Sequence, residues 1–516
     1  MQKNSSQGEL GFNIDDNNTL SNRSVFTIDF TSEDLFGHHD AAYEEISLLQ
    51  SYSVRRTDCQ DFFDEKRQFM ILCAPKGTGK TTICRLWQLD IDKKKNTISD
   101  VKFDTEVSPD LKDASLTQWI RAWKHQITKV IISGIDEKIL PVVDIEQVVE
   151  ISERKQNRRK RLFELLIENF NSVLGKNTKA LTYEEQTNML ARLKEMSAYN
   201  IWIFLDEIDQ YFTKEEYSIR KVGGMLLAAR ELTGHLSNLY LRTTIKPNVL
   251  AILLSKIDNI SNIRELIVNL SWNDEGIRAI LAKRVESYLE RRGLYSKASD
   301  LFPIKEVALR EEWLVSQVFS TSNFDLGKNN RPPHKILSVL SFRRPRWLLD
   351  LCKTVTSGVK DNSVRTISFD YVEGRLPDYG KDRMVDLTTE YGTQCPQLNL
   401  IIQGFRNRKS SYYYQELEDM VQANIASKIN VEIVGVSVQC SGRQIIQFLF
   451  EIGFIEPVKY FKDKSYDVIH FDKSPNFIDE EGTIDANQPD YDLFWKIHPA
   501  FRNALFLTKP SKNNRK

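Results

Sequence analysis

Five of the six residues in QFMILC, at 68–73, are apolar and do not alternate with polar ones, as in a strand buried on both faces. The run leads into APKGTGKTT, whose last residues open a helical pattern, so the order predicted is strand, glycine turn, helix. A second apolar run, IWIFL at 201–205, ends in Asp206 and Glu207, and a third, LYLRTTI at 239–245, is stopped by Pro247. Helical patterns separate the three. Buried strands joined this way predict a parallel α/β sheet, because parallel neighbours need a crossover connection.

More chain lies between the first two runs than a crossover needs, so a helical insertion is expected at about 104–195. Within it, SERKQNRRKRLFELLIENF at 152–170 carries Arg154, Lys155, Arg158, Arg159, Lys160 and Arg161 ahead of an amphipathic helix. Such a cluster reads as a solvated face or as a contact for a nucleic-acid backbone. From WNDEGIRAILAKRVESYLERRG at 272–293 the pattern is helical, with Asn273 or Asp274 as N-cap and Gly293 as stop. Farther on, SGRQIIQFLFEIGFIEPV at 441–458 predicts a helix closed by Gly453 and then a strand, with DLFWKIHPAF at 492–501 as its returning partner. Helices followed by two strands have the outline of a winged helix. The polar opening MQKNSSQGELGFNIDDNNTLSNRS has no apolar h-region and reads as a flexible leader. The expected division is a leader at 1–35, an α/β core at 36–270, a helical lid at 271–365, and a winged-helix-like domain with a basic tail at 366–516.

Composition narrows the function classes. Lys plus Arg equals Asp plus Glu at 71 each over 516 residues, so no overall field draws the chain to nucleic acid or to an anionic membrane. Six cysteines without a CxxC pair argue against a zinc knuckle or a disulfide framework and fit a reducing cytoplasm. No apolar run reaches the roughly 18 residues of a membrane span, so no membrane partner is expected. His38, His39 and His498 have no metal-ligand spacing.

The chemistry lies in the turn. Residues 74–81, APKGTGKT, match the phosphate-loop pattern G-x-x-x-x-G-K-[ST] at Gly79, Lys80 and Thr81, with Ala74 in place of the first glycine. Ala74, Pro75, Lys76, Gly77, Thr78, Gly79, Lys80, Thr81 and Thr82 are thus the nucleotide-binding candidates. Gly77 and Gly79 let successive amides point inward, Lys80 reaches the β and γ phosphates, and Thr81 ligates Mg²⁺. FLDEID at 204–209 supplies the acids, at the end of a strand expected beside the first: Asp206 for the magnesium, Glu207 as base for the attacking water. Thr243, Thr244 and Lys246 end the third run, where a polar group can sense the γ-phosphate, and Arg343, Arg344 and Arg346 in SFRRPRWLLDLCK can be delivered from the lid. SKID at 255–258 lacks the side-chain amide of the guanine-reading NKxD motif, so ATP is the expected nucleotide.

The order APKGTGKTT, FLDEID, RTTIKPNV, SWNDEGIRAILAKRV, FRRPRWLLDLCK, FEIGFI, WKIHPAF resembles bacterial P-loop ATPases on the STAND and origin-recognition side of the AAA+ superfamily. Within that group it is most similar to standalone ATPases of mobile and phage-defence islands that end in a winged helix. The likeness covers about Phe36 to Leu507 and departs at Ala74 and at Lys246 and Asn248, where relatives tend to show Arg-Pro-Asp. It implies Lys80 and Thr81 as phosphate and magnesium residues, Asp206 and Glu207 as the Walker B pair, and one of Arg343, Arg344 and Arg346 as the lid arginine. It also implies a homo-oligomer, in which Arg242 or Arg264 acts in trans, and a protein effector regulated in antiphage defence. The expectation is a cytoplasmic, Mg-dependent ATPase switch. The alternatives are an ATPase that holds nucleic acid through the wing and the basic cluster, and a nucleotide-stabilised scaffold with negligible turnover.

Overall fold

The structure, a computed structural model, describes residues 26–508 apart from 38–43, 140–199, 295–305, 321–330, 360–362, 480–490 and positions 55, 57, 58, 96, 112, 214, 464 and 472. The basic cluster at 154–161, the histidines at 38 and 39 and most of the expected leader lie outside the described residues. The chain forms two compact units, one of residues 1–55, 272–383 and 499–506, the other of 56–271, 384–498 and 507–516.

In the second unit, strands β1 (Phe69–Cys73), β2 (Thr97–Phe103), β3 (Asn200–Asp206), β4 (Leu239–Ile245) and β5 (Ile267–Asn269) form one sheet in the order β2-β3-β4-β1-β5. Every pairing is parallel. The three apolar runs are β1, β3 and β4, and each is flanked on both sides by another strand. β3 does not lie beside β1, as the sequence reading had it, because β4 stands between them, with Leu205 opposite Thr243 and Cys73 opposite Ile245.

Pleating sends alternate residues of β1 to opposite faces. Phe69, Ile71 and Cys73 join Ile201, Ile203 and Leu205 under helices α2 (Leu116–Ile139), α3 (Glu216–His235) and α4 (Pro247–Lys256). Met70 and Leu72 join Trp202 and Phe204 against Cys84 and Ile91 of helix α1 (Lys80–Asp92). A sheet covered on both faces needs apolar residues at every position of its inner strands. Trp119, Trp123 and Ile127 of α2 are fully buried in that core. This helix, in the stretch expected as an insertion, therefore serves as the crossover between β2 and β3.

Helices α2 and α3 touch closely at Gly224, where an added Cβ would lie 2.8 Å from the Trp119 Cβ and 3.3 Å from its carbonyl carbon. Gly224→Ala gains up to about 1 kcal/mol of helix propensity but overpacks against backbone, which costs about 1–3 kcal/mol. A net loss of up to about 2 kcal/mol is expected in urea unfolding. A variant more stable than the parent would show that the helices separate without cost.

The same unit contains helices over Leu398–Gln403, Tyr414–Val421 and Gly442–Glu451 and an antiparallel sheet in the order β6-β9-β7-β8, from Ser411–Tyr412, Ile455–Phe461, Tyr466–Val468 and Tyr491–Ile497. Ser441 caps the third of these helices reciprocally with Gln444, and Gly453 follows it at φ 75°. The stretch at 492–501 returns beside β7 as expected, Ile455 pairing with Ile497.

In the other unit, α5 (Asp274–Arg291) starts at Asn273, whose side chain accepts the Gly276 N–H, and stops at Gly293, φ 69°. It packs with α6 (Val307–Ser316), α7 (Pro333–Leu340) and α8 (Pro345–Thr356). Phe26, Ile28 and Phe30 are buried in the same core. The described part of the segment expected to be a flexible leader is thus packed, its apolar side chains alternating in FTIDF at 26–30.

Candidate phosphate-binding site

The turn begins where β1 ends. The Ala74 N–H still donates to the Ile245 carbonyl of β4 at 2.9 Å, after which the chain leaves the sheet. Gly77 and Gly79 have φ of 79° and 94°, conformations that a side chain strains, and Gly79 is the residue before α1. Ala74 is not among the described residues with positive φ, so its methyl group costs the backbone nothing. The Lys80 ammonium is buried and donates to the Ala74 carbonyl at 2.8 Å and to the Pro75 carbonyl at 2.9 Å, while the Thr78 hydroxyl donates to Pro75 at 2.7 Å. Pro75, Gly77 and Thr82 are half-buried and Lys76 is exposed.

Asp206 ends β3, fully buried. Its Oδ2 accepts the Thr81 hydroxyl at 2.6 Å, and its Oδ1 accepts the Thr244 hydroxyl and, at 3.0 Å, the Glu207 N–H. The Thr243 hydroxyl donates to the Leu205 carbonyl at 3.0 Å. Glu207 is half-buried and has a φ of 56°, a left-handed conformation that costs a non-glycine residue of order 1–3 kcal/mol. Backbone strain of this kind concentrates at functional sites.

Asp209, three residues on, carries a role that the sequence reading did not assign. It is buried, its Oδ2 accepts the Lys246 N–H at 2.6 Å, and its carbonyl accepts the Lys246 ammonium at 3.2 Å. Burial pushes the Lys80 ammonium below its usual pKa against the pull of Asp209, Asp206 and Glu390. Burial likewise raises the Asp209 carboxyl against the pull of Lys246 and Lys80. Desolvation disfavours both charges; Asp209 is offset first by Lys246, whereas Lys80 bonds directly only to carbonyls.

Lys80, Thr81, Asp206, Glu207, Thr244 and Lys246 thus lie together at the C-terminal ends of the inner strands β1, β3 and β4. Arg343, Arg344 and Arg346 belong to the other compact unit. There the Arg344 guanidinium lies 4.6 Å from the Trp347 ring centroid, and Arg343, which with Phe342 has a left-handed backbone, lies 3.5 Å from the Asp274 carboxylate. Arg264 is exposed in the turn Asp258–Leu266. Arg242 is completely buried and bonded to five main-chain carbonyls of its own chain, so it cannot act on a neighbouring molecule.

A glycine turn between an inner strand of a parallel sheet and a helix, with an acid from a second strand on its threonine, decides the fold class. The fold is that of an α/β P-loop NTPase. No family model matches the chain, and no curated protein does. Among solved structures, Cdc6p from Pyrobaculum aerophilum is similar over 85% of this chain and 93% of that one, at 12% identity and a TM-score of 0.29. The ORC2 protein of Aeropyrum pernix is similar in its ADPNP–ADP complexes, at 11% identity over 85% of this chain and 86% of that one, with a TM-score of 0.34. Its ADP form is similar at 10% identity over 92% and 95%, with a TM-score of 0.33. Likenesses this distant carry no argument, and the fold class rests on the sheet and turn of this chain. Among the described residues no helix is long and apolar enough to cross a membrane.

Proposed function

We propose that the chain binds ATP with Mg²⁺ and hydrolyses it as a molecular switch. The observation that carries the reading is the 2.6 Å bond from the Thr81 hydroxyl to Asp206, which joins the turn to an acid two strands away. A hydroxyl and a carboxylate are hard oxygen donors of the kind Mg²⁺ takes while it keeps several waters, so Thr81 and Asp206 fit as its protein ligands. When bound, the ion neutralises charge on the phosphate oxygens. The amides of the turn and Lys80 hold the β and γ phosphates, and Glu207 orients the attacking water and takes its proton. Thr244 and Lys246 sense the terminal phosphate. One of Arg343, Arg344 and Arg346 completes the site from the 271–365 lid when ATP is bound, so that nucleotide state sets domain orientation. The C-terminal helices and antiparallel strands act as a winged helix that moves with it, in a homo-oligomer. The regulated effector and the setting in antiphage defence rest on the family resemblance.

Purified wild-type protein tests the reading. Calorimetric titration with ATP, with and without Mg²⁺, is expected to show saturable, magnesium-strengthened binding, and a phosphate-release assay is expected to show turnover. No ATP binding at millimolar nucleotide would overturn the site. Tight binding without phosphate release would make the protein a nucleotide-stabilised scaffold.

A further inference from the structure

Asp209 lies in the acidic motif, yet its carboxylate accepts the Lys246 N–H, whereas Asp206 accepts the Thr81 hydroxyl. We propose that Asp209 is a positioning residue: by holding the start of α4 against the turn after β3, it fixes the Lys246 ammonium where the terminal phosphate of ATP is sensed. The proposal rests on the ATPase reading and adds to it a residue and a division of labour.

Both ends of Lys246 are tied to this one residue, the N–H to the Asp209 carboxylate at 2.6 Å and the ammonium to the Asp209 carbonyl at 3.2 Å. The first bond is short and half-buried, and the second is long and leaves the ammonium further donors for a ligand. Lys246 directly precedes α4, whose first residue is Pro247, and its own side chain makes no capping bond there. A carboxylate there meets the positive end of the helix. The turn holding Asp209 is itself closed, Gln210 N–H donating to Glu207 at 2.9 Å and Phe212 N–H to Asp209 at 3.2 Å. Lys246 also follows Ile245, whose carbonyl accepts the first amide of the phosphate turn. Its position is therefore set relative to the turn through the β1–β4 ladder on one side and through Asp209 on the other. A carboxylate is repelled by phosphate, so Asp209 acts through Lys246 and not on the nucleotide.

The test is a set of variants read by kcat, KM and the ratio of ATP to ADP affinity. Asp209→Ala removes the acceptor, and Asp209→Glu displaces it by a methylene. Both are expected to lower kcat at least 10-fold, with KM within about threefold of the parent, and to erase the preference for ATP over ADP. Asp209→Asn keeps an acceptor oxygen in place and is expected to retain at least a third of the parent kcat. Lys246→Met is expected to match Asp209→Ala, and the double variant Asp209→Ala/Lys246→Met to fall no further, as for two groups acting as one. Should Asp209→Ala fail to fold, Asp209→Glu and Asp209→Asn carry the same comparison. Losses from the two sites that multiply, or an Asp209→Glu protein with parental kcat and ATP preference, would overturn the inference while leaving the ATPase reading intact. A parent that binds neither nucleotide would overturn both.

Discussion

A Lys80→Ala protein is expected to lose phosphate release by about two to three orders of magnitude, together with most of its affinity for ATP, while melting without nucleotide at or above the temperature of the parent. The two halves of this expectation have one cause. The ammonium is buried against two carbonyls, and burial pushes its pKa down. An ion taken out of water costs several kcal/mol unless its partners are excellent, and neutral carbonyls compensate only part of that. Removing it relieves that cost but leaves only the amides of the turn to hold the β and γ phosphates. Glu207→Gln separates the steps: it keeps Lys80 and the turn, so nucleotide binding is expected to survive while hydrolysis falls as far. Calorimetry, phosphate release and melting curves on the two proteins read all of this. Parental turnover in both would mean that the site is misassigned.

Arg242→Ala is expected to cost about 3–5 kcal/mol of stability, the range for breaking a buried charged network. The guanidinium donates to the carbonyls of Phe62, Asp64 (2.9 Å), Arg67 (2.8 Å), Gln68 (3.1 Å) and Leu241 (3.0 Å) and lies 4.7 Å from the Trp202 ring centroid. Burial lowers its pKa to about 9, which still leaves it charged at neutral pH. It fastens the segment before β1 to β4, and its loss strands several carbonyls in a dry interior beside a cavity. Domain stabilities of about 5–15 kcal/mol leave little after such a loss. A lysine does not replace it, because one ammonium with three donors cannot span a fan of five acceptors. Urea unfolding followed by tryptophan fluorescence measures the effect. A midpoint within about 0.5 kcal/mol of the parent would show that water satisfies those carbonyls instead.

What the sequence disclosed follows from burial. β1, β3 and β4 are inner strands, covered on both faces, and appear as unbroken apolar runs. β2 is an edge strand, and its TISDVKF has mostly half-buried positions, so polar residues hide its period. β5 has three residues, too few for any pattern. The caps at Asn273, Ser441, Gly293 and Gly453 involve neighbours along the chain, and their spacing can be read directly. The sequence offered Arg242 as an arginine acting in trans because its five acceptors come mostly from residues more than 170 positions away. Asp209 was one acid among three in DEID, and only its packing separates it from its neighbours. The left-handed backbone at Glu207, Phe342 and Arg343 leaves no mark in residue type, since glycine would be the ordinary choice at each.

The placement of β4 has a wider consequence. Because it stands between the strand that feeds the glycine turn and the strand that ends in the acid, neither half of the site can shift without dragging the middle rung. Thr244 touches the acid on one side while its ladder runs to the turn on the other. Wear at the rim of the sheet leaves such an apparatus whole, whereas slippage at its midline dismantles every part at once.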